Sequence, residues 1–132
     1  VLAAVALLHP AILLRDGRPL SRGIRLAVGL TAAVTAAAFA LGLAIYEPYR
    51  ARVKRPLFVE DPSAGWLFET KEHLAYLVVA LCLGAAVAAA AAPRRERRLR
   101  RLAALLFGLA AAVCLTVVGL GTYLAAVRGF SG

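Results

Sequence analysis

Long apolar runs alternate with short polar connections along this chain. The runs cover residues 1–14, 26–46, 74–92 and 102–127, and none of them contains Asp, Glu, Lys or Arg. They lack the period-two alternation that membrane β-strands show. Because hydrocarbon offers no hydrogen-bond partners, a spanning segment must satisfy its backbone internally, so each run predicts a helix. The pattern predicts an all-α integral membrane protein, a four-transmembrane-helix bundle.

The first run is shorter than the other three. A helix needs about 20 apolar residues to cross the hydrocarbon core, and residues 1–14 fall short of that length. We therefore expect a first helix that is truncated at its N-terminal side; a short helix beginning at Val1 is the alternative.

The connection between the second and third runs, residues 47–73, is the longest. Its Asp61-Pro62 pair is typical of a helix start, because Asp caps free N–H groups and Pro loses nothing in the first turn. We expect an interfacial helical start near Pro62 that leads into a third span over about 66–92. Pro48 and Pro56 predict an irregular segment upstream of it.

Composition supports the membrane assignment. The chain has 132 residues, of which 62% are hydrophobic, and a soluble domain of this size cannot bury so much apolar surface. We expect a single transmembrane domain over residues 1–132. The net charge of +9 is concentrated in connections that flank the apolar runs, which indicates membrane topology and not nucleic-acid binding. Cys82 and Cys114 lie inside apolar runs, which is typical of small buried hydrophobic residues.

Arginine distribution predicts the orientation. The first and third connections, 15–25 and 93–101, lie on one side of a four-span chain, and both are short and rich in arginine. The positive-inside rule puts them in the cytoplasm and both termini on the external side of the cell (inner) membrane. We expect the third connection to bind anionic lipid head groups through a basic cluster. The cluster comprises Arg94, Arg95, Arg97, Arg98, Arg100 and Arg101.

Rows of small residues at four-residue spacing predict close helix packing, since small side chains let backbones approach in a membrane. Gly84 and Gly108 are the strongest evidence for such rows. The rows are Ala32, Ala36, Ala40 and Ala44, then Ala80, Gly84, Ala88 and Ala92, then Ala104, Gly108, Ala112 and Thr116.

Three hypotheses remain open for the polar residues of the external connection. In the first, Glu69 and Glu72 pair with Arg50, Arg52 and Arg55, while Lys71 points outward to the headgroups. In the second, a group of aromatic and polar side chains docks another subunit. In the third, Glu69 and His73, with Glu72 or Glu60, bind a metal or carry protons. The docking group comprises Trp66, Phe68, Glu69, His73 and Tyr76.

A haem shared by the two histidines is not expected. His9 lies about 9 Å from the inner end of the first helix, at about 1.5 Å per residue, whereas His73 lies at the external mouth. Haem with one ligand from outside the chain stays open. The sequence indicates no definite cofactor.

Elimination gives the expected function. The second to fourth runs carry no charge at mid-membrane, which a coupled transporter normally needs. We expect a non-enzymatic accessory or scaffold subunit of a larger membrane complex, such as a respiratory or photosynthetic one. Its partners are other membrane subunits and the lipid bilayer. The alternative is a haem- or metal-binding redox protein that uses Glu69, Glu72 and His73.

Overall fold

The computed structural model describes residues 1–93 and 95–129, and every regular element in this part of the chain is helical. The all-α prediction is confirmed. Three helices are long and apolar enough to cross a membrane, which is consistent with an all-α membrane protein, and the first helix is shorter. The elements are α1 (Leu2–Leu14), α2 (Arg22–Ala44), α3 (Tyr46–Tyr49), a π-helical turn (Arg50–Lys54), α4 (Arg55–Glu60), α5 (Pro62–Ala91) and α6 (Arg97–Gly129).

The predicted helix start near Pro62, which leads into the third apolar run, is confirmed. Asp61 is the N-cap of α5, and its carboxylate accepts hydrogen bonds from the backbone N–H groups of Ser63 (3.0 Å) and Ala64 (3.1 Å). The Ser63 hydroxyl also donates to this carboxylate, which lowers the pKa of Asp61, and the Ala64 N–H adds to the effect. Bonds to the charged form favour ionisation, so Asp61 is a stronger acid than usual.

The segment upstream of Asp61 is helical, so the prediction of an irregular segment is wrong. Pro48 lies within the short α3, and Pro56 occupies the first turn of α4. The first N–H groups of a helix have no acceptor inside it, so a proline there loses no hydrogen bond. The π-helical turn between the two short helices shifts the register, as the Arg55 N–H donates to the carbonyl oxygen of Arg50.

The four longer helices pack side by side. The pair α5 and α6 makes the most extensive contact, α1 packs against α6 and α2, and α2 packs against α5. Most of the buried residues of α5 and α6 are small, which permits close approach of helices in a membrane. The buried core of the bundle contains Ala4, Leu7, Leu14, Val28, Val78, Cys82, Ala85, Ala89, Ala103, Ala104, Phe107, Ala110, Ala111 and Cys114.

The predicted small-residue rows do not form the α5–α6 seam. Gly84 is exposed, and a Cβ atom added there or at Gly108 would meet nothing within 4 Å. Ala36, Ala40 and Ala44 are exposed as well. In an alanine-rich chain several faces of each helix carry small residues, and their spacing does not identify the face that packs inside the bundle. The rows therefore lie mostly on the outside of the bundle.

The Arg-rich end also differs from expectation. The third connection was predicted over 93–101, but the helix α6 already begins at Arg97. Arg100 is only 1% exposed, so it does not face lipid. Its Nε donates to the carbonyl oxygen of Gly17 (2.9 Å) and its Nη1 to that of Pro93 (2.7 Å), which ties the two connections together. Of the other cluster members, Arg95, Arg97, Arg98 and Arg101 are exposed, and Arg94 lies outside the described residues.

Candidate functional site

The polar residues of the long connection gather at the end of the bundle opposite Arg100. The π-helical turn presents Lys54 to α5, where its Nζ lies 2.7 Å from Oε2 of Glu72 and 3.6 Å from Oε1 of Glu69. The Tyr46 hydroxyl lies 3.5 Å from the same Glu72 oxygen. We call these four residues the Lys54 cluster. π-Helical turns often occur at functional sites, and this one delivers the central cation.

The Lys54 cluster is shielded from solvent. The Lys54 side chain is 13% exposed and that of Glu72 is 18% exposed. Burial lowers the pKa of Lys54, but the hydrogen bond and charge of Glu72, together with Tyr46, outweigh burial and raise the pKa overall. Because each charge is held by its partner, removing one partner would leave a poorly solvated charge behind.

A cleft of about 510 Å³ opens at this end of the bundle, between α2, α5 and α6, and the residues of the Lys54 cluster line part of it. We call it the aromatic cleft, because phenyl and phenol rings form much of its wall. Phe39 and Tyr76 pack edge to face with ring centroids 4.9 Å apart, and Tyr49 and Phe68 lie 5.4 Å apart. Its lining residues are Ala38, Phe39, Gly42, Leu43, Ile45, Tyr46, Tyr49, Lys54, Phe68, Glu69, Lys71, Glu72, His73, Ala75, Tyr76 and Val117.

The residues predicted to dock a partner do not form one continuous surface. Glu69, His73 and Tyr76 line the aromatic cleft, as their helical spacing implies, and Tyr76 is 55% exposed. Trp66 is 65% exposed but lies elsewhere, packed edge to face on Phe58. Phe68 also lines the cleft, but it is only 1% exposed and packs into a second buried cluster.

The candidate metal ligands do not converge. Both carboxylates face Lys54, whereas the Nδ1 of His73 lies 2.8 Å from the backbone carbonyl oxygen of Glu69. A carbonyl only accepts, so this nitrogen carries the proton. Across residues 1–93 and 95–129, no group of three or more His, Cys, Asp and Glu side chains is arranged to hold a metal ion. Glu72, Glu69 and His73 therefore do not form a ligand set here.

The contacts of Lys54 and Lys71 were not predicted from the sequence. Lys54 stands in a run of basic residues, and nothing in the sequence distinguishes it from its neighbours. Lys71 was expected to point outward, but it is half-buried, and its ammonium group lies 4.2 Å from the centroid of the Phe68 ring. Phe68 precedes Lys71 by three residues, so the pair shares a helical face. That spacing was the available signal for a cation–π contact.

His9 lies far from this site. It belongs to α1 and lines a separate apolar groove of about 370 Å³ with residues of α2, including Leu30 and Val34. The two histidines therefore line different cavities, as their predicted depths imply.

Comparison of the chain with protein-family models, with curated proteins and with solved structures finds no match.

Proposed function

We propose that this chain is a small, non-enzymatic subunit of a larger membrane-protein complex, and that the outward face of α2 receives a helix of another subunit. The observation that carries the proposal is a contrast between two exposed helix faces. On α2 the exposed positions Gly29, Ala33, Ala36, Ala40 and Ala44 follow one another at three- and four-residue spacing.

The outward face of α6 has a different character. Leu102, Leu105, Leu109 and Leu115 are each between 46% and 70% exposed. Large aliphatic side chains suit contact with lipid tails, whereas small side chains permit the close backbone approach by which membrane helices associate. The α6 face therefore suits lipid. On α2 large side chains are exposed as well (Leu26, Leu30, Val34, Leu41 and Leu43), and it is the row of small residues that suits a protein partner.

The proposal includes the topology. The Arg-rich end lies in the cytoplasm, and α1 acts as a fourth membrane-embedded helix, so both termini are on the external side of the cell membrane. Supporting this, α1 is apolar and packs against α6 and α2. Exposed arginines are also more numerous at the Arg100 end than at the Lys54 end, where Arg50, Arg52 and Arg55 are exposed, and the positive-inside rule favours the cytoplasm for the richer end. Alkaline phosphatase fused to the C-terminus should be active, since it folds only outside the cytoplasm. An inactive fusion with a cytosolic reporter active at the same position would contradict this topology.

Affinity purification from native membranes in mild detergent tests the subunit assignment. We expect the tagged wild-type chain to retain other membrane proteins at fixed stoichiometry. Ala33→Leu combined with Ala40→Leu should release them, because leucine at these positions holds a neighbouring helix away. Ala112→Leu, at an exposed alanine on the α6 face, is the matched control and should retain them.

Both variants should melt at the wild-type temperature when purified alone, since their side chains point away from the bundle. A wild-type chain that leaves the membrane as a single polypeptide would refute the subunit assignment. Equal retention by both variants would refute the role of the α2 face.

A further inference from the structure

The aromatic cleft continues a face of α2 that is buried elsewhere. Thr31 and Thr35 are each 5% exposed, and Thr31 contacts α1. One and two turns further along the same face, Ala38 and Gly42 line the open cleft. A Cβ atom added at Gly42 would meet nothing within 4 Å. The cleft is therefore an interior position of the bundle that no side chain of the described residues fills.

The polar end of the cleft contains a cation that the nearby carboxylates do not engage. Glu69 and Glu72 both contact Lys54, at 3.6 and 2.7 Å. Lys71 forms no salt bridge with any carboxylate in the described part of the chain; its ammonium group lies over the rings of Phe68 (4.2 Å) and Tyr49 (5.6 Å).

The stem of Lys71 passes close to α6, where its Cδ would be 3.8 Å from a Cβ atom added at Gly121. Lys71 thus lies across the top of the cleft, directed inward. Charged groups at membrane depth are costly and normally have a partner of opposite charge.

We propose that the aromatic cleft binds one anionic phospholipid, with its phosphate at Lys71 and one acyl chain along α2. The wall below Lys71 is hydrocarbon, formed by Phe39, Leu43, Ala75 and Val117. A trough that is mostly apolar and carries a few polar groups at one end is typical of ligand sites, and the volume of about 510 Å³ falls within their usual range.

Charge complementarity selects this occupant. Within the lining, Glu72 and Glu69 both contact Lys54, whereas Glu72 acts on Lys71 only through space, so the ammonium group of Lys71 lacks a direct anionic contact in the described residues. A phosphodiester supplies one negative charge and several acceptor oxygens, and a lipid carrying it meets the cleft at the depth where headgroups lie. A neutral amphiphile such as a quinone would leave Lys71 without a direct anionic contact.

Native mass spectrometry of the full chain tests the proposal. The protein is reconstituted in nanodiscs of phosphatidylglycerol and phosphatidylcholine in equal amounts and then released. We expect one retained phospholipid per chain, enriched in phosphatidylglycerol. Lys71→Gln should lower that enrichment about fivefold, the effect of one lysine charge near a membrane surface. Lys71→Arg should preserve it.

Two further variants separate the cleft from the rest of the surface. Gly42→Leu should abolish retention, because its side chain fills the cleft while Lys71 is unchanged. Gly119→Leu is the control, since a Cβ atom there also meets open space and Gly119 does not line the cleft. Arg98→Gln, at the opposite end, should leave retention unchanged. Circular dichroism and melting temperatures verify that each variant folds.

Several outcomes would overturn the proposal. One is a wild-type chain without retained lipid. Another is retention by both Lys71→Gln and Gly42→Leu that equals the wild-type retention, and a third is loss of the lipid on Arg98→Gln alone. Solvent extraction that yields a stoichiometric quinone in place of phospholipid would also overturn it.

Discussion

The hydroxyl of Thr31 donates a hydrogen bond of 3.0 Å to the backbone carbonyl oxygen of Ala6. Ala6 lies four residues before Pro10, which is inside α1 and has no N–H to donate to that carbonyl. Thr31, on α2, thus supplies the hydrogen bond that the proline removes. In a membrane this matters, because water does not reach an unpaired carbonyl.

Thr31→Val should destabilise the protein by about 1 kcal/mol, since it keeps the shape but removes the donor. In the Pro10→Ala background the same change should cost less, because α1 can then bond the Ala6 carbonyl itself. Denaturation of all four variants in detergent measures this coupling. Thr116→Val is the control, because the Thr116 hydroxyl bonds only its own helix at Ala112 and is exposed. Strictly additive effects would argue against the compensation.

Lys54→Met should destabilise the protein by about 2–3 kcal/mol, because it leaves Glu69 and Glu72 adjacent and without their shared cation. Arg55→Met, at an exposed residue of the same segment, should cost less than about 0.5 kcal/mol. Melting temperatures in detergent provide the comparison, and similar losses from the two variants would count against a structural role for the Lys54 cluster.

The Lys54 cluster also predicts an alkaline transition. The pKa of Lys54 is raised in the folded protein above its ordinary value of 10.5. Its contribution to stability is therefore complete below pH 10.5 and is lost as the pH rises through the higher folded-state pKa. Stability measured against pH should fall in that range for the wild type. Lys54→Arg should shift the decline to higher pH, because guanidinium stays protonated. An unchanged profile in this variant would assign the decline to other groups.

Asp61→Ala should loosen the beginning of α5, because Ser63 and Ala64 lose their hydrogen-bond acceptor. Hydrogen exchange at these two amides should accelerate, while exchange in the middle of α5 stays unchanged. The pKa of Asp61 is lowered, so the cap is complete above its ordinary value of 3.8 and is lost as the pH falls through the lower folded-state value. Asp61→Asn should retain much of the protection and remove the acid dependence; full loss with Asn would instead point to the charge.

Arg100→Gln should destabilise the protein by about 2–3 kcal/mol, since it removes charge-assisted bonds to the carbonyl oxygens of Gly17 and Pro93 at a buried position. Arg101→Gln, at the exposed neighbouring residue, should have almost no effect. Urea or thermal unfolding in detergent distinguishes them, and equal effects would mean that Arg100 acts only as a surface charge.

Local signals in the sequence predicted much of this fold. Continuous apolar runs identified the long helices, and Asp61-Pro62 marked the start of α5, because capping depends on adjacent residues. Composition did not reveal which helix faces pack: Gly84, chosen for its small size, lies outside, while Ala85 beside it is fully buried. Adjacent small residues fit a seam equally well, so only the three-dimensional arrangement selects between them.

The candidate site was predicted in part for the same reason. Glu69, His73 and Tyr76 share a helical face, and this local spacing placed them beside one cleft. The cation opposite them was not predictable, because Lys54 reaches α5 through a π-helical turn that depends on tertiary packing. Arg100 shows the same limit: one arginine among several is buried because distant carbonyls surround it.

The α5–α6 seam has a consequence for how this chain tolerates sequence change. Ala85 and Ala89 on α5 and Ala103 and Ala110 on α6 are all fully buried. Alanine has no side-chain rotamers, so the neighbouring alanines cannot rearrange to make room for a bulkier residue. Such a residue must push whole helices apart. In a saturation library selected for folded protein, variants with larger residues at these buried alanines should accordingly be depleted. The exposed leucines of α6 should exchange freely for other aliphatic residues.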